Sequence, residues 1–153
     1  MTDGIQDPHN FGAIIRSAEV FRVDAIFIPE RGQVPVTGMV VRSSAGAVNR
    51  VPIVRTEDHA ELARRLRGRG IALVGASEKA GKSLFDFDFT RPVAIVVGGE
   101  GRGISEGLKS ACDALLKIPQ YGALGSLNAA VAASIFFCEA RRQKATASSI
   151  ASV

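Results

Sequence analysis

The sequence is poor in the residues that build metal and redox sites. It has only two cysteines and two histidines among 153 residues. Cys112 and Cys138 form no metal or redox motif, and neither His9 nor His59 has a partner at the spacing of metal ligands. We therefore expect no metal and no redox centre.

Long apolar runs and targeting signals are also missing. The longest apolar stretch, from Leu127 to Cys138, is interrupted by Asn128 and Ser134 and is too short to cross a bilayer. The opening residues have neither the basic region nor the apolar core of a signal peptide. We expect no membrane role, and a reducing cytoplasm is the simplest compartment.

The composition is that of one globular domain. Hydrophobic residues make up 46% and charged residues 22% of the chain, which is long enough to bury a core. The net charge of +4 and the pI of about 9.5 suit a polyanionic partner, because lysine and arginine attract phosphates without regard to sequence. Nucleic acid is therefore an allowed partner, but so modest an excess does not require one.

Short apolar runs alternate with stretches of helical periodicity. None of the runs alternates between apolar and polar residues, so we interpret them as strands buried on both faces. They are Ala25 to Ile28, Val51 to Val54, Ile71 to Val74, Val93 to Val97 and Ala114 to Ile118. Helical patterns lie between them, the first starting at Asp7 and Pro8 and the last covering about Leu127 to Arg142. The pattern predicts a mostly parallel α/β sheet with helices on both faces.

Two glycine-rich loops imitate nucleotide-binding motifs without matching them. Gly75 and Gly81 are separated by five residues, whereas a P-loop needs four, so a P-loop NTPase is disfavoured. The loop from Gly98 to Gly103 has Ile104 where a dinucleotide fingerprint needs its third glycine. This loop still brings bare backbone and the carboxylate of Glu100 to the end of a strand. It is either a ligand-binding loop or a turn with a solvated glutamate.

A third loop follows the last predicted strand and leads into the final helix. It contains Gly122, Ser126 and Asn128. Polar side chains and free N–H groups at a helix start can hold an anion or a ribose hydroxyl. Serine and asparagine are also common helix caps, so both interpretations remain open at this point.

Taken together, the three segments resemble the signature motifs of the SpoU (TrmH-type) RNA 2'-O-ribose methyltransferase family, in order. Asp7-Pro8-His9-Asn10-Phe11-Gly12 with Arg16 is similar to motif one, Val97 to Gly103 to motif two, and Ile118-Pro119 through Ser126-Leu127-Asn128 to motif three. Ser44 to Ala47 also looks like the family. The likeness extends to about Lys144, and DPHN in motif one favours ribosomal RNA members over transfer RNA members.

The resemblance implies a fold, a cofactor and an assembly. The fold would be the SPOUT fold, in which the C-terminal segment makes a deep trefoil knot. The cofactor would be S-adenosylmethionine, bound in the knot by Gly98, Gly99, Gly101, Ile118, Gly122 and Leu127, with Gly75, Ala76 and Ser77 nearby. Members act as homodimers on RNA, with the site at the subunit interface.

The resemblance also implies the catalytic residues. Arg16 would act at the 2'-hydroxyl, Asn10, Ser126 and Asn128 would orient ribose or phosphate, and Glu100 would help to build the site. Because a guanidinium stays protonated, we interpret Arg16 as a phosphate clamp that stabilises the developing alkoxide, rather than as a base.

The family pattern also predicts the domain organisation. We expect a catalytic domain over residues 1–144, a frayed tail over residues 145–153, a truncated first strand and no RNA-binding domain upstream. The chain would then be a fragment or have a displaced start. Phe85, Phe87 and Phe89 are expected to pack, and the arginines from Arg64 to Arg69 to be a solvated helix end. A non-catalytic RNA-binding module with the same fold is the alternative function.

Overall fold

The computed structural model of the chain describes residues 1–150. Its strands are β1 (Thr2–Asp3), β2 (Ile26–Pro29), β3 (Ile53–Thr56), β4 (Ala72–Ala76), β5 (Lys82–Ser83), β6 (Val93–Gly98) and β7 (Ala114–Lys117). Its helices are α1 (Pro8–Val20), α2 (Gly38–Ser43), α3 (His59–Gly68), α4 (Glu106–Ala111) and α5 (Ala129–Ile150). No helix in this described part is long and apolar enough to span a membrane.

All strand pairs are parallel, as the sequence predicted. The main sheet has the order β1-β6-β4-β7-β5, and β2 and β3 form a separate pair. Leu73 packs with α3 and α4, whereas its neighbour Val74 packs with α5. Since successive side chains of a strand point to opposite faces, helices cover both faces of the sheet. β1 is only two residues long, but it pairs with β6 at Val97 and Gly98.

Helix α1 begins as its start signal predicts. The carboxylate of Asp7 accepts hydrogen bonds from the backbone N–H groups of His9 (3.1 Å) and Asn10 (3.2 Å), and Pro8 occupies the first helical position. The buried side chains of α1 lie on one face of the helix and anchor it in the core: Phe11, Ile14, Ile15 and Ala18. The cap therefore places Asn10 in the first turn of a well-packed helix.

Helix α5 is longer than the sequence predicts. It runs to Ile150, so the described part of the predicted tail, residues 145–150, is helical and not frayed; residues 151–153 lie outside the described residues. The Ser and Thr hydroxyls of this turn donate to carbonyls four residues earlier, as Thr146 does to Arg142 (3.1 Å), which keeps them compatible with the helix. One side of the helix is exposed to solvent, at Val131 and Cys138.

Two smaller predictions also fail in part. β3 is not buried on both faces, because it lies in a two-stranded sheet and leaves Val54 exposed. Among the three phenylalanines expected to pack, Phe87 and Phe89 are buried and meet edge to face at 4.9 Å, but Phe85 is exposed. The arginine-rich end of α3 is solvated, as predicted; Arg64 and Arg65 pair with Glu61 in the same helix, and Arg67 pairs with Asp113 at 3.0 Å.

Candidate active site

A cavity of about 340 Å³ lies at the carboxyl ends of β4, β6 and β7. These three strands are neighbours in the sheet, so the loops that follow them meet at one edge. The end of β4 and its loop contribute Ala76 to Lys79, and β6 and its loop contribute Val97 to Ile104. The loop after β7 contributes Ile118, Gln120, Ser126 and Leu127. Open α/β sheets bind ligands at this edge, and the volume is that of a small-molecule site.

Two glycines, one at the end of β6 and one at the start of the loop after it, are required because other backbone approaches them closely. A Cβ on Gly98 would lie 2.0 Å from the carbonyl carbon of Gly103, and one on Gly99 would lie 2.2 Å from the carbonyl oxygen of Gly4. Side chains at either position would therefore collide with backbone. The loop folds back on itself, with the N–H of Gly103 donating to Gly99 O at 2.9 Å, and this leaves a wall of bare backbone at the cavity.

A polar network joins α1, the loop after β6 and α5 beside the cavity. Asn10 Nδ2 donates to Glu100 Oε1 at 2.8 Å, and Asn128 Nδ2 donates to both Glu100 Oε1 and Asn10 Oδ1 at 2.9 Å. Asn128 Oδ1 accepts from the backbone N–H groups of Ala130 and Val131, at 2.9 and 3.2 Å. Asn128 is thus both the cap of α5 and a member of the network, so the two interpretations of its position are compatible.

The network fixes the orientation of its members. Because Asn128 Oδ1 faces backbone donors, its amide nitrogen must face Glu100 and Asn10. Glu100 accepts twice through one oxygen, so its other carboxylate oxygen remains available at a cavity that Glu100 itself lines. A fixed carboxylate of this kind can hold a cation or accept from a hydroxyl.

Three cations line the same cavity, and sequence reasoning missed all of them. Lys79, Arg102 and Lys109 come from the loop after β4, the loop after β6 and helix α4. Lys109 pairs with Glu106 at 2.7 Å. Arg102 could have been predicted from the sequence as a site residue, because it lies inside the glycine-rich loop, two residues after Glu100. The cavity is consequently of mixed charge and suits a ligand that carries both signs.

The structure brings most of the predicted site residues to this cavity. Those that line it are Ala76, Ser77, Gly98, Gly99, Glu100, Gly101, Ile118, Ser126 and Leu127. Asn10 and Asn128 do not line it but reach it through Glu100. Gly75 lies behind the wall, where a Cβ would come within 2.6 Å of Leu115, and Gly122 lies in the loop after β7 without lining the cavity. The functional roles of all these residues remain predictions.

Arg16 is the one predicted catalytic residue that the chain does not bring to the cavity. It is exposed on α1 and makes no hydrogen bond or ion pair within residues 1–150. It follows Asn10 by six residues, which on a helix is about 240° around and about 9 Å along the axis. A single straight helix therefore cannot direct both side chains at one point.

The other candidate chemistries fit the structure poorly. The segment after β4 leads to strand β5 and not to a helix, and Lys82 lies 5.4 Å from the centre of the Phe87 ring, so the P-loop interpretation is wrong. Burial raises the pKa of the Cys112 thiol to about 11, with Asp113 adding to the effect, which disfavours a thiolate nucleophile. Residues 1–150 contain no cluster of three or more potential metal ligands.

Comparison with known proteins identifies relatives over nearly the whole chain. Residues 1–138 match the model of the SpoU rRNA Methylase family. The 23S rRNA (guanosine-2'-O-)-methyltransferase RlmB of Xanthomonas campestris is 41% identical over 142 residues, which are 93% of this chain and 57% of that enzyme. The SpoU methyltransferase AviRb from Streptomyces viridochromogenes, solved in complex with the cofactor AdoMet, is 34% identical with a TM-score of 0.88, covering 95% of this chain and 59% of AviRb.

A transfer RNA enzyme is also among the similar structures. The A. aeolicus TrmH/SpoU tRNA modifying enzyme is 27% identical with a TM-score of 0.87, covering 96% of this chain and 75% of that one. Hence the match in fold does not separate relatives that act on ribosomal RNA from those that act on transfer RNA. The chain spans less than three fifths of the length of the RlmB and AviRb relatives, at 57% and 59%.

Proposed function

Since the chain belongs to the SpoU rRNA Methylase family, we propose that it transfers the methyl group of S-adenosylmethionine to a ribose 2'-hydroxyl of structured RNA, with ribosomal RNA favoured over transfer RNA. The observation that carries the proposal is a cavity lined by the loops of motifs two and three, which Glu100 joins to Asn10 of motif one and to Asn128 of motif three. A substrate of this kind also implies the cytoplasm as the compartment of action.

The residues of the cavity fit the cofactor. The bare backbone at Gly98 and Gly99, where any Cβ would collide with main chain, forms one wall of a narrow cradle. Apolar side chains suited to an adenine ring lie on other walls, at Ile118 and Leu127. The cofactor carries a carboxylate and two cationic groups, and the cavity offers Glu100 among lysine and arginine side chains.

The bound cofactor would supply an electrophilic methyl group on its sulfonium, and the protein has to align a ribose oxygen with it. In the proposed mechanism Asn10 and Asn128, held rigid through Glu100, position the ribose by hydrogen bonds. Ser126, at the cavity, adds a hydroxyl donor or acceptor. Arg16 clamps the adjacent phosphate and stabilises the negative charge that develops as the hydroxyl gives its proton to water and its oxygen takes the methyl group, which leaves S-adenosylhomocysteine.

Arg16 does not line the cavity of its own chain, and we propose a homodimer in which a second copy supplies it. The outer faces of α1 and α5 expose Val20 and Val131, with side chains 63% and 47% exposed, and Cys138 lies on the same stripe of α5. The two helices contact each other through Ser17 and Ser134, whose hydroxyls are 2.7 Å apart, so their exposed stripes are adjacent. Arg16 is on this surface, so pairing two such surfaces would carry each Arg16 onto the partner subunit.

We extend the proposal to the chain path, as a deep trefoil knot formed by the segment from the loop after β7 to α5. It is supported by the packing of α5 against both β4 and β6, directly after a loop that lines the cavity. An experimental structure in which this segment can be unthreaded without crossing the β6 to α4 loop would contradict it.

The function can be tested in two steps. Calorimetry with S-adenosylmethionine should give one site per chain, and the purified protein should incorporate labelled methyl groups into unmodified 23S ribosomal RNA at a ribose oxygen. RNA binding without cofactor binding would support the non-catalytic module instead. Methylation of transfer RNA but not of ribosomal RNA would reverse the preference and leave the reaction intact.

The trans role of Arg16 has a sharper test. Arg16→Ala and Glu100→Ala variants should each be inactive, because each dimer then lacks one element at both sites. Mixing the two should restore about a quarter of the activity, since half of the dimers are mixed and each of these has one intact site. No recovery on mixing, with subunit exchange demonstrated, would refute action across the dimer.

A further inference from the structure

The most exposed aromatic side chain of the protein stands at the margin of the cavity. Tyr121 is 97% exposed, and Leu124 on the same loop is 83% exposed. Both ends of this loop line the cavity, through Ile118 and Gln120 on one side and Ser126 and Leu127 on the other. Large apolar groups held in water beside a ligand cavity mark a binding surface rather than a packing element.

From this placement, and resting on the function proposed above, we propose that Tyr121 is a stacking platform for an unpaired base of the substrate RNA, with Leu124 extending its apolar surface. In a nucleotide the base is attached to C1', the carbon next to the one that bears the 2'-hydroxyl. A ribose placed for reaction in the cavity therefore holds its base close to the reacting oxygen, and the loop that carries Tyr121 lines the same cavity at both of its ends.

The chemistry of the surroundings favours a nucleotide over other partners. Unpaired bases in RNA are commonly bound by stacking on aromatic rings, and stacking accepts any base because each has a π face. Lys79 and Arg102, on the cavity wall, can neutralise the phosphates that accompany such a base. Gly122 directly follows Tyr121 and Gly125 directly follows Leu124, and these glycines let the loop adapt to the base.

The sequence provides a direct spectroscopic test, because Tyr121 is the only tyrosine and the chain has no tryptophan. All intrinsic tyrosine emission therefore comes from this ring. A short single-stranded RNA, added with S-adenosylhomocysteine and corrected for its own absorbance, should quench the emission in a saturable way. The Tyr121→Phe variant should lack the signal, which assigns it. Emission that RNA leaves unchanged at concentrations that saturate binding would overturn the proposal.

Activity separates stacking from other contacts of the ring. With unmodified 23S ribosomal RNA as substrate, Tyr121→Ala should raise KM for RNA about tenfold and leave the Kd of S-adenosylmethionine unchanged, whereas Tyr121→Phe should stay within about threefold of the wild type. Phe85→Ala is the matched control, because Phe85 is also exposed (57%) but lies between β5 and β6, on a segment that contributes no residue to the cavity, and its KM should not change. An unchanged KM in Tyr121→Ala would refute the platform.

Two further outcomes point elsewhere. A Tyr121→Leu variant with wild-type KM would show that bulk and apolarity suffice, which contradicts stacking. Loss of dimers in sedimentation of Tyr121→Ala would assign the ring to contact with a second copy. If the wild type binds no cofactor, the proposed function fails. Quenching of Tyr121 emission by RNA in the absence of any cofactor still tests the stacking proposal on its own.

Discussion

Replacing Asn128 by aspartate should destabilise the protein, although aspartate is as good a helix cap as asparagine. One carboxylate oxygen of the Asn128→Asp side chain can still accept from the N–H groups of Ala130 and Val131. The other then stands where Asn128 Nδ2 now donates to Glu100 and Asn10, at 2.9 Å from an acceptor oxygen of each. Two hydrogen bonds become two contacts between acceptors.

The magnitude follows from these contacts. Two hydrogen bonds among exposed partners contribute about 0.5–1 kcal/mol each. Two carboxylates at this separation repel by about 1 kcal/mol even at the dielectric constant of water. In the opposite direction, a negative charge at the start of α5 stabilises the variant by about 0.3–1 kcal/mol through the helix dipole. The net loss should be about 2 kcal/mol, which for a chain of this size lowers Tm by about 4–8 °C.

Urea unfolding of the wild type and the variant measures the loss. Glu100→Gln placed in the Asn128→Asp background should recover about half of it, because the amide replaces a repelling carboxylate with a group that can donate. Thr37→Asp is the control, because Thr37 caps α2 without any acidic neighbour in hydrogen-bond contact, and its free energy of unfolding should change by less than about 0.5 kcal/mol. Equal stability of wild type and Asn128→Asp would refute the network argument.

Three further variants test other parts of the structure. Gly98→Ala should lower the free energy of unfolding by about 3 kcal/mol and should abolish cofactor binding, because its Cβ would meet backbone at 2.0 Å. Gly107→Ala, whose Cβ would have nothing within 4 Å, should not be destabilised. Urea titration measures the stability of both variants, and calorimetry measures their cofactor binding. Hydrogen bonds from Arg142, and then Gln143, lower the pKa of buried Glu139. The ionised carboxylate therefore stabilises the folded protein above about pH 4.5, the unfolded value, and this contribution is lost as the pH falls through the folded pKa. The difference in free energy of unfolding between the wild type and Glu139→Gln should shrink from pH 7 to pH 3. Lys82→Ala should leave the Kd of S-adenosylmethionine unchanged, since Lys82 stacks on Phe87 and does not line the cavity; a weakened Kd would reopen a role for this lysine.

Features that depend on neighbouring residues could be predicted from the sequence. The Asp7-Pro8 start of α1 needs only one turn of chain, and β4, β6 and β7 are apolar runs that begin within one residue of the predicted positions. The length of α5 was missed because small polar residues are ambiguous by themselves. Their hydroxyls either compete with the backbone or, as Ser149 does with Ala145 O at 3.0 Å, bond within the helix.

Long-range features could not be derived in this way. Asn10 and Glu100 are ninety residues apart, and nothing local to either one indicates that their side chains meet at 2.8 Å. The same holds for Lys79 and Lys109, which look like ordinary surface lysines until the cavity is seen between them. The resemblance to a family predicted that Asn10 and Glu100 belong to one site, because the family's motifs are defined by function. It gave no information on Lys79 and Lys109.

The missing information is the order of strands in the sheet. Every parallel strand ends in a loop, and the five strands predicted from the sequence give five such ends without indicating which of them are adjacent. Only the order β6-β4-β7 brings the loops after these three strands together, and it leaves those after β2 and β3 outside the main sheet. Residue types alone could not make this selection, since the loop after β4 has the less distinctive chemistry of Ser77 to Lys79 and still forms a wall of the cavity. Adjacency in the sheet, rather than the strength of each motif, therefore decides which loops can share a ligand.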